Sequence, residues 1–156
     1  MQRVNGLSEV KTIATKKIII EGEIVPKGRP RFTGTGGIKR AVTPQKTRAF
    51  ERFVKIVARQ QCKEAFEGPV RVKIVIYKAP PKSWSNIKKE KAISGQIAAT
   101  AKPDIDNYGK SILDALNGIA WRDDSYIIEL SQRKEYANKD GAVVYVYDEG
   151  HLDTAY

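Results

Sequence analysis

Apolar and polar positions alternate most regularly over residues 70–77. Val70, Val72, Ile74 and Ile76 fall on one side, and Arg71 and Lys73 on the other. A period of two marks a half-buried strand. The Ile/Val-rich stretch 17–25 reads as a second strand. Residues 126–134 and 142–147 read as two more, separated by a turn at 138–141 that contains Asp140 and Gly141. The Thr-Gly-Thr-Gly-Gly run at 33–37 predicts a flexible turn, with 38–42 as the return strand of a hairpin.

Elsewhere the period changes. Phe50, Phe53, Val54 and Val57 recur at i, i+3, i+4 and i+7, the apolar stripe of a helix. Thr43 is its expected N-cap, Pro44 its first helical residue, and Gly68-Pro69 its end. A second periodic helix covers 107–117, with Tyr108, Ile112, Leu113 and Leu116 inward and Gly118 as the stop. A short Lys-rich helix over 84–94 would be capped by Ser83 or Ser85. These elements predict one α+β domain, a mixed sheet of about five strands with two main helices on one face and a short helix at the side. Residues 1–15 form a loose arm, 16–148 the domain and 149–156 a frayed tail in this reading. The length of 156 residues suits a single core.

Charge adds a partner. The formal net charge is +10, and residues 1–48 carry a net +8 of it. A concentrated positive field steers polyanions to the surface. Arg29 and Arg31, two apart in an extended stretch, face the same way; with Lys39, Arg40 and Arg48 they are the candidate DNA phosphate contacts. A solvated basic face is the plainer alternative. Cys62, the single cysteine, falls on the apolar side of its helix and reads as core, so a disulfide framework and a Cys-rich zinc site are excluded. One histidine, His151, leaves little for a His-based site. The Gly-rich turn lacks the Gly-Lys-Ser/Thr of a P-loop, so no nucleotide cofactor is expected. No RRM-type aromatic run points to RNA. Neither a signal core nor a membrane-length apolar run is present, which predicts a cytoplasmic protein.

Against this basic background stand four clustered carboxylates. Asp104 and Asp106 lie in Lys-Pro-Asp-Ile-Asp-Asn at 102–107, and Asp123-Asp124 follows Arg122. In an extended segment Asp104 and Asp106 point to one side, and a divalent cation relieves their repulsion. A helix starting at Asn107 sets its first N–H groups beside them as a phosphate site, with Lys110 one turn in. Asp123-Asp124 joins this cluster only if the chain returns along the helix. Asp-x-Asp alone is a weak signal: Asp106 serves equally as a helix cap, Asp104, Asp123 and Asp124 as turn residues, and Asp114 as an exposed neighbour of Lys110. Trp84 reads as a core plug or a stacking residue, and Trp121 as packing under the acidic turn.

Taken whole, the motif resembles the RusA family of Holliday junction resolvases. The likeness rests on Lys102–Asn107, Lys110, the Leu-Asp-Ala-Leu-Asn-Gly run at 113–118 and Arg122-Asp123-Asp124. Gly-Arg-Pro-Arg-Phe at 28–32, Thr43-Pro44, residues 47–51 and Pro-Lys-Ser-Trp-Ser at 81–85 extend it over roughly residues 17–147. The resemblance implies a homodimeric endonuclease that uses Mg2+, with Mn2+ able to substitute. It would cut four-way DNA junctions by paired symmetric hydrolysis, leave 5′-phosphate ends, and serve DNA recombination and repair. Its host would be a bacterial cell, a phage or a prophage. Asp104, Asp106 and Asp124 take the catalytic and metal-binding places, Asp123 competes with Asp124 for the third, and Lys110 matches the functional lysine. The Asp106–Asp124 spacing is one residue shorter than in the best-known member, which leaves Asp123 against Asp124 open. The segment 96–100 also lacks the His seen before Lys-Pro-Asp in some relatives. A broader nuclease for branched DNA and a non-catalytic DNA-binding module are the competing readings.

Overall fold

The computed structural model describes residues 13–155. The expected N-terminal arm falls almost wholly outside them. The main sheet has four strands in the order β1 (Thr15–Glu21), β6 (Gly141–Asp148), β4 (Val70–Lys78), β5 (Ile127–Tyr136). β4 pairs antiparallel with β6 and parallel with β5, and β1 lies antiparallel on the far side of β6.

The alternation in β4 sets which face is buried. Val72 lies opposite Val146, Ile74 opposite Val144 and Ile76 opposite Ala142. Ile18 and Ile20 continue the rows beside Val144 and Ala142. All of these are at most 2% exposed. At about 1.5–3 kcal/mol for each larger aliphatic side chain buried, this layer is the main stabilising mass.

Two helices cover that face. In α1 (Gln45–Gln61) the buried residues are Thr47, Phe50, Val54 and Ala58, one stripe at helical spacing. Phe53, expected inward, is 44% exposed. Pro44 keeps a non-helical ψ of 143° and occupies the cap position itself, so α1 starts one residue later than the Thr43 cap predicts. It also stops well before Gly68. Cys62 turns extended, and the chain then runs to a bridge between Phe66 and Trp121. Cys62 is buried, and burial pushes its thiol pKa up, as for a core residue. The other helix, α3 (Ile105–Leu116), buries Tyr108, Ser111, Ile112, Ala115 and Leu116 against α1 and the sheet. The short α2 (Asn86–Ile93) is capped by Ser85, whose hydroxyl accepts from the Lys88 N–H at 3.2 Å.

Three further expectations are corrected. Residues 31–42 do form a hairpin, β2 (Arg31–Thr33) with β3 (Arg40–Val42), but as a separate two-stranded sheet, so the main sheet has four strands and not five. β1 ends at Glu21 rather than running to Val25, and Gly22 follows it at φ 97°. β5 and β6, joined through the turn that holds Asp140 and Gly141, are not neighbours, because β4 lies between them. The connection instead ties back through Ala137 N–H to the Lys78 carbonyl and Ala79 N–H to Asp140. The start of the expected frayed tail is anchored as well: Glu149 N–H donates to the Pro69 carbonyl, and its carboxylate pairs with Arg71. No helix among the described residues is long and apolar enough to cross a membrane.

Candidate functional site

α3 organises the acidic residues. It begins at Ile105, two residues before the predicted start, so Asp104 is its N-cap and Asp106 lies in its first turn. The extended arrangement expected for Asp104 and Asp106 is therefore replaced by a cap and a first-turn position. Negative charge there is favoured by the helix dipole. The Asp104 side chain makes no capping bond. Its Oδ1 accepts from Lys102 Nζ at 2.8 Å, and the side chain remains 57% exposed. The hydrogen bond and charge of Lys102 hold the Asp104 carboxyl below the usual carboxylate range, with a smaller push from Lys134. The Lys102–Pro103 peptide is cis. Asp106 is exposed, and Lys110 stands one turn further along the same side of the helix.

Asp123 and Asp124 occupy the other end of α3. Leu116 is its last residue, Gly118 turns the chain at φ 77°, and Trp121 bridges back to Asn117. Trp121 is fully buried, as expected, and its Nε1 donates to Asp124 Oδ1 at 2.8 Å. Asp123 accepts from the Ser125 hydroxyl and N–H, with a further bond from Asn117, and these hold its pKa low. β5 does return along α3: a Cβ added at Gly109 would collide with the Gln132 amide oxygen, and Lys134 reaches the segment before Asp104. But Asp123 and Asp124 precede β5. The 12-residue α3, roughly 18 Å long, therefore separates the two acidic pairs. Among the described residues no three His, Cys, Asp or Glu side chains sit close enough to hold a metal ion together.

The donor chemistry nonetheless suits a hard cation. Mg2+ is usually held by one or two carboxylates, with water and substrate phosphate completing its shell. Asp104 and Asp106, exposed at a helix N-terminus, offer that donor set. Among the described residues Asp104 pairs with Lys102, which is itself 85% exposed, so the pair is weak enough to be displaced.

Four of the five basic residues lie on the hairpin and its approach, and Arg48 lies in the first turn of α1. Arg29, Arg31, Lys39, Arg40 and Arg48 are all exposed. Arg31 and Arg48 line one groove beside β3 and the start of α1. Arg31 and Thr33 share a hairpin face with Arg40 and Val42, while Phe32 is on the other, 70% exposed. Lys27, outside the predicted set, pins this segment to the body. Its N–H donates to the Asn107 carbonyl, and its ammonium pairs with Glu51 at 2.6 Å and Asp114 at 2.8 Å. Burial works against its charge, but Asp114 and Glu51 outweigh that and raise its pKa. Asp114 is thus shared between Lys27 and, at 3.8 Å, Lys110. Local sequence carries no sign of Lys27 or Lys134, since their partners lie far along the chain. Lys102, two residues from Asp104, was within reach of inspection. Trp84 is half-buried, its ring tilted at 59° against Tyr136 with Lys88 over its face, and so is no core plug.

Comparison with known proteins places the chain in a family. The family model described as Endodeoxyribonuclease RusA matches residues 21–147. An uncharacterized protein, YqaN of Bacillus subtilis (strain 168), is 40% identical over 126 residues, which is 79% of this chain and 89% of that protein.

Proposed function

The chain belongs to the RusA endodeoxyribonuclease family, and from that premise we propose that it cuts four-way DNA junctions as a Mg2+-dependent homodimer. Mn2+ would serve in place of Mg2+. The observation that carries this reading is the exposed Asp104–Asp106 pair at the N-terminus of α3, with Lys110 one turn away, inside the family-matched stretch. When bound, the ion supplies an activated water and neutralises the phosphate oxygens. Asp104 and Asp106 would hold it. The free N–H groups of the first turn of α3 favour a phosphate at the same end. Lys110 offsets the charge that develops there. Arg29, Arg31, Lys39, Arg40 and Arg48 position the DNA backbone without reading its sequence.

The separation of the acidic pairs supports a dimer. One chain cannot bring Asp123 or Asp124 to Asp104, because α3 lies between them. A two-fold axis that sets two α3 helices side by side in opposite directions brings Asp124 of a second copy to Asp104 and Asp106. Each active site is then shared, and the two sites serve the two equivalent strands of a junction. The products are 5′-phosphate and 3′-hydroxyl ends that a ligase can seal, as recombination and repair require.

A labelled four-way junction, a fork and a duplex incubated with Mg2+ or EDTA test this. The expected result is paired symmetric nicks in the junction with Mg2+ only. Equal cutting of the fork would replace the substrate with branched DNA in general. Binding that ignores Mg2+, with no nicks at all, would leave a DNA-binding module.

A further inference from the structure

Residues 98–104, which lead into the acidic end of α3, form no regular element. What holds them comes from across the fold. Lys134 of β5 lies opposite Ile76, a fully buried residue, and so stands on the helix-covered side of the sheet. Its side chain is half-buried, and its ammonium donates to the Ala101 carbonyl at 2.8 Å and the Pro103 carbonyl at 3.1 Å. Two charge-assisted bonds to carbonyls two residues apart fix both the place and the direction of the chain. The next residue is Asp104. Pro103 has no N–H and the Asp104 side chain makes no capping bond; the local bonds are the exposed Lys102–Asp104 pair and one from the Thr100 N–H to the Ala98 carbonyl, which fix less of this entry than Lys134 does.

The geometry points to Lys134 as the positioning residue of Asp104: its two carbonyl bonds hold the backbone in the path that presents this carboxylate to a divalent cation. This rests on the metal-dependent reading above. Both hydrogen bonds of the Lys134 ammonium go to main-chain carbonyls, so it acts through the 101–103 backbone. Groups that orient a ligand from behind it commonly set metal affinity by about 10–100-fold. The side chain has no apolar role that Met could not fill, since the stem is retained and only the ammonium is lost. Arg keeps two donors in one plane and should reach both carbonyls.

The test is Mn2+ binding by the full chain without DNA, read from the free-ion paramagnetic resonance signal, with melting temperature and junction affinity in EDTA as controls. In Lys134→Met the Mn2+ dissociation constant should rise about tenfold or more, while melting and junction affinity stay near wild type. Lys134→Arg should stay within about threefold of wild type. In cleavage, the half-saturating Mg2+ concentration of Lys134→Met should rise in the same ratio, and the rate at saturating Mg2+ should recover. If Lys134→Met does not fold, Lys134→Gln, which reaches one carbonyl at most, replaces it. Equal Mn2+ affinity in wild type and Lys134→Met overturns the inference while leaving the nuclease reading intact. So does a parallel loss of melting temperature, junction binding and Mn2+ affinity that Arg fails to restore. A wild-type chain that binds no Mn2+ overturns both.

Discussion

The two acidic pairs carry the same chemistry at the two ends of one helix, and they are held in opposite ways. Asp104 is exposed and engaged by a flexible, exposed lysine. Asp106 is open to solvent. Asp124 is bonded to the indole of a fully buried tryptophan, and Asp123 to a serine hydroxyl and N–H and to Asn117. Cationic partners on solvated stems are cheap to exchange for another cation. The indole N–H of the buried Trp121 holds the Asp124 carboxylate in place whatever is bound, whereas the donors to Asp123 are themselves exposed. On the reading proposed above, the N-terminal pair receives an ion, and Asp124, anchored on Trp121, is presented to whatever approaches that end.

The sharpest way to break this comparison is to inactivate each end separately and mix the products. Asp104→Asn and Asp124→Asn should each lower cleavage about a thousandfold. Asp104→Asn should keep its stability within about 0.5 kcal/mol, as for an exposed side chain. Once the two variants are unfolded together and refolded, half the dimers are mixed. A mixed dimer with shared sites has one intact site and one doubly defective site. Single-strand nicking should then return to about a quarter of the wild-type rate. Mixtures that stay inactive would place both acidic pairs in one chain's own site and remove the shared-site reading.

The next effect lies in the rigid half. Trp121→Phe removes a bond to Asp124 and leaves space in the core, and should cost about 2–3 kcal/mol of stability in a denaturant titration. Cleavage at a temperature where the variant is folded should fall as well, because Asp124 loses its anchor. Unchanged cleavage would mean that Asp123 supplies the needed carboxylate, and it would decide the choice that spacing leaves open.

How much of this was legible beforehand follows from the range of each interaction. The alternation in β4, the inward side of α3, the Ser85 cap and the role of Trp121 under the acidic turn are local patterns, and all are present in the fold. The pairing of β4 between β5 and β6 is not local. A period of two names a face, not a neighbour, and the turn between β5 and β6 does not name their partner either. A hint lay in β4 itself, where Val75 is apolar on the outward side, as expected of a central strand. The Asp-x-Asp motif falls at the start of α3, which lies two residues before the expected one, since Pro103-Asp104 makes as good a helix entry as Asp106-Asn107. The separation of Asp124 from Asp104 follows from where the chain turns, at Gly118, before the strand returns. The Lys27 and Lys134 contacts join residues far apart in sequence and had no local signature.

The smallest expected effect sharpens the loosely held end. Lys102 keeps the Asp104 carboxyl below its ordinary pKa. A folded pKa below the unfolded one means that the ionised carboxylate is favoured above the unfolded value and that this preference is lost as pH falls through the folded value. Lys102→Ala should therefore raise the Asp104 midpoint toward that of a free aspartate, read from the side-chain carboxyl carbon resonance in an acid titration. The Lys134 charge should keep it slightly below. Near neutral pH the same change removes a competitor for the carboxylate, and the half-saturating Mg2+ concentration should fall about twofold. At acid pH the sign reverses, because the proton now competes better, and cleavage by the variant should fail at a higher pH than in the wild type. An identical Asp104 midpoint in both chains would show that the ion pair does not persist in solution, and the contrast between the two ends of α3 would then rest on exposure alone.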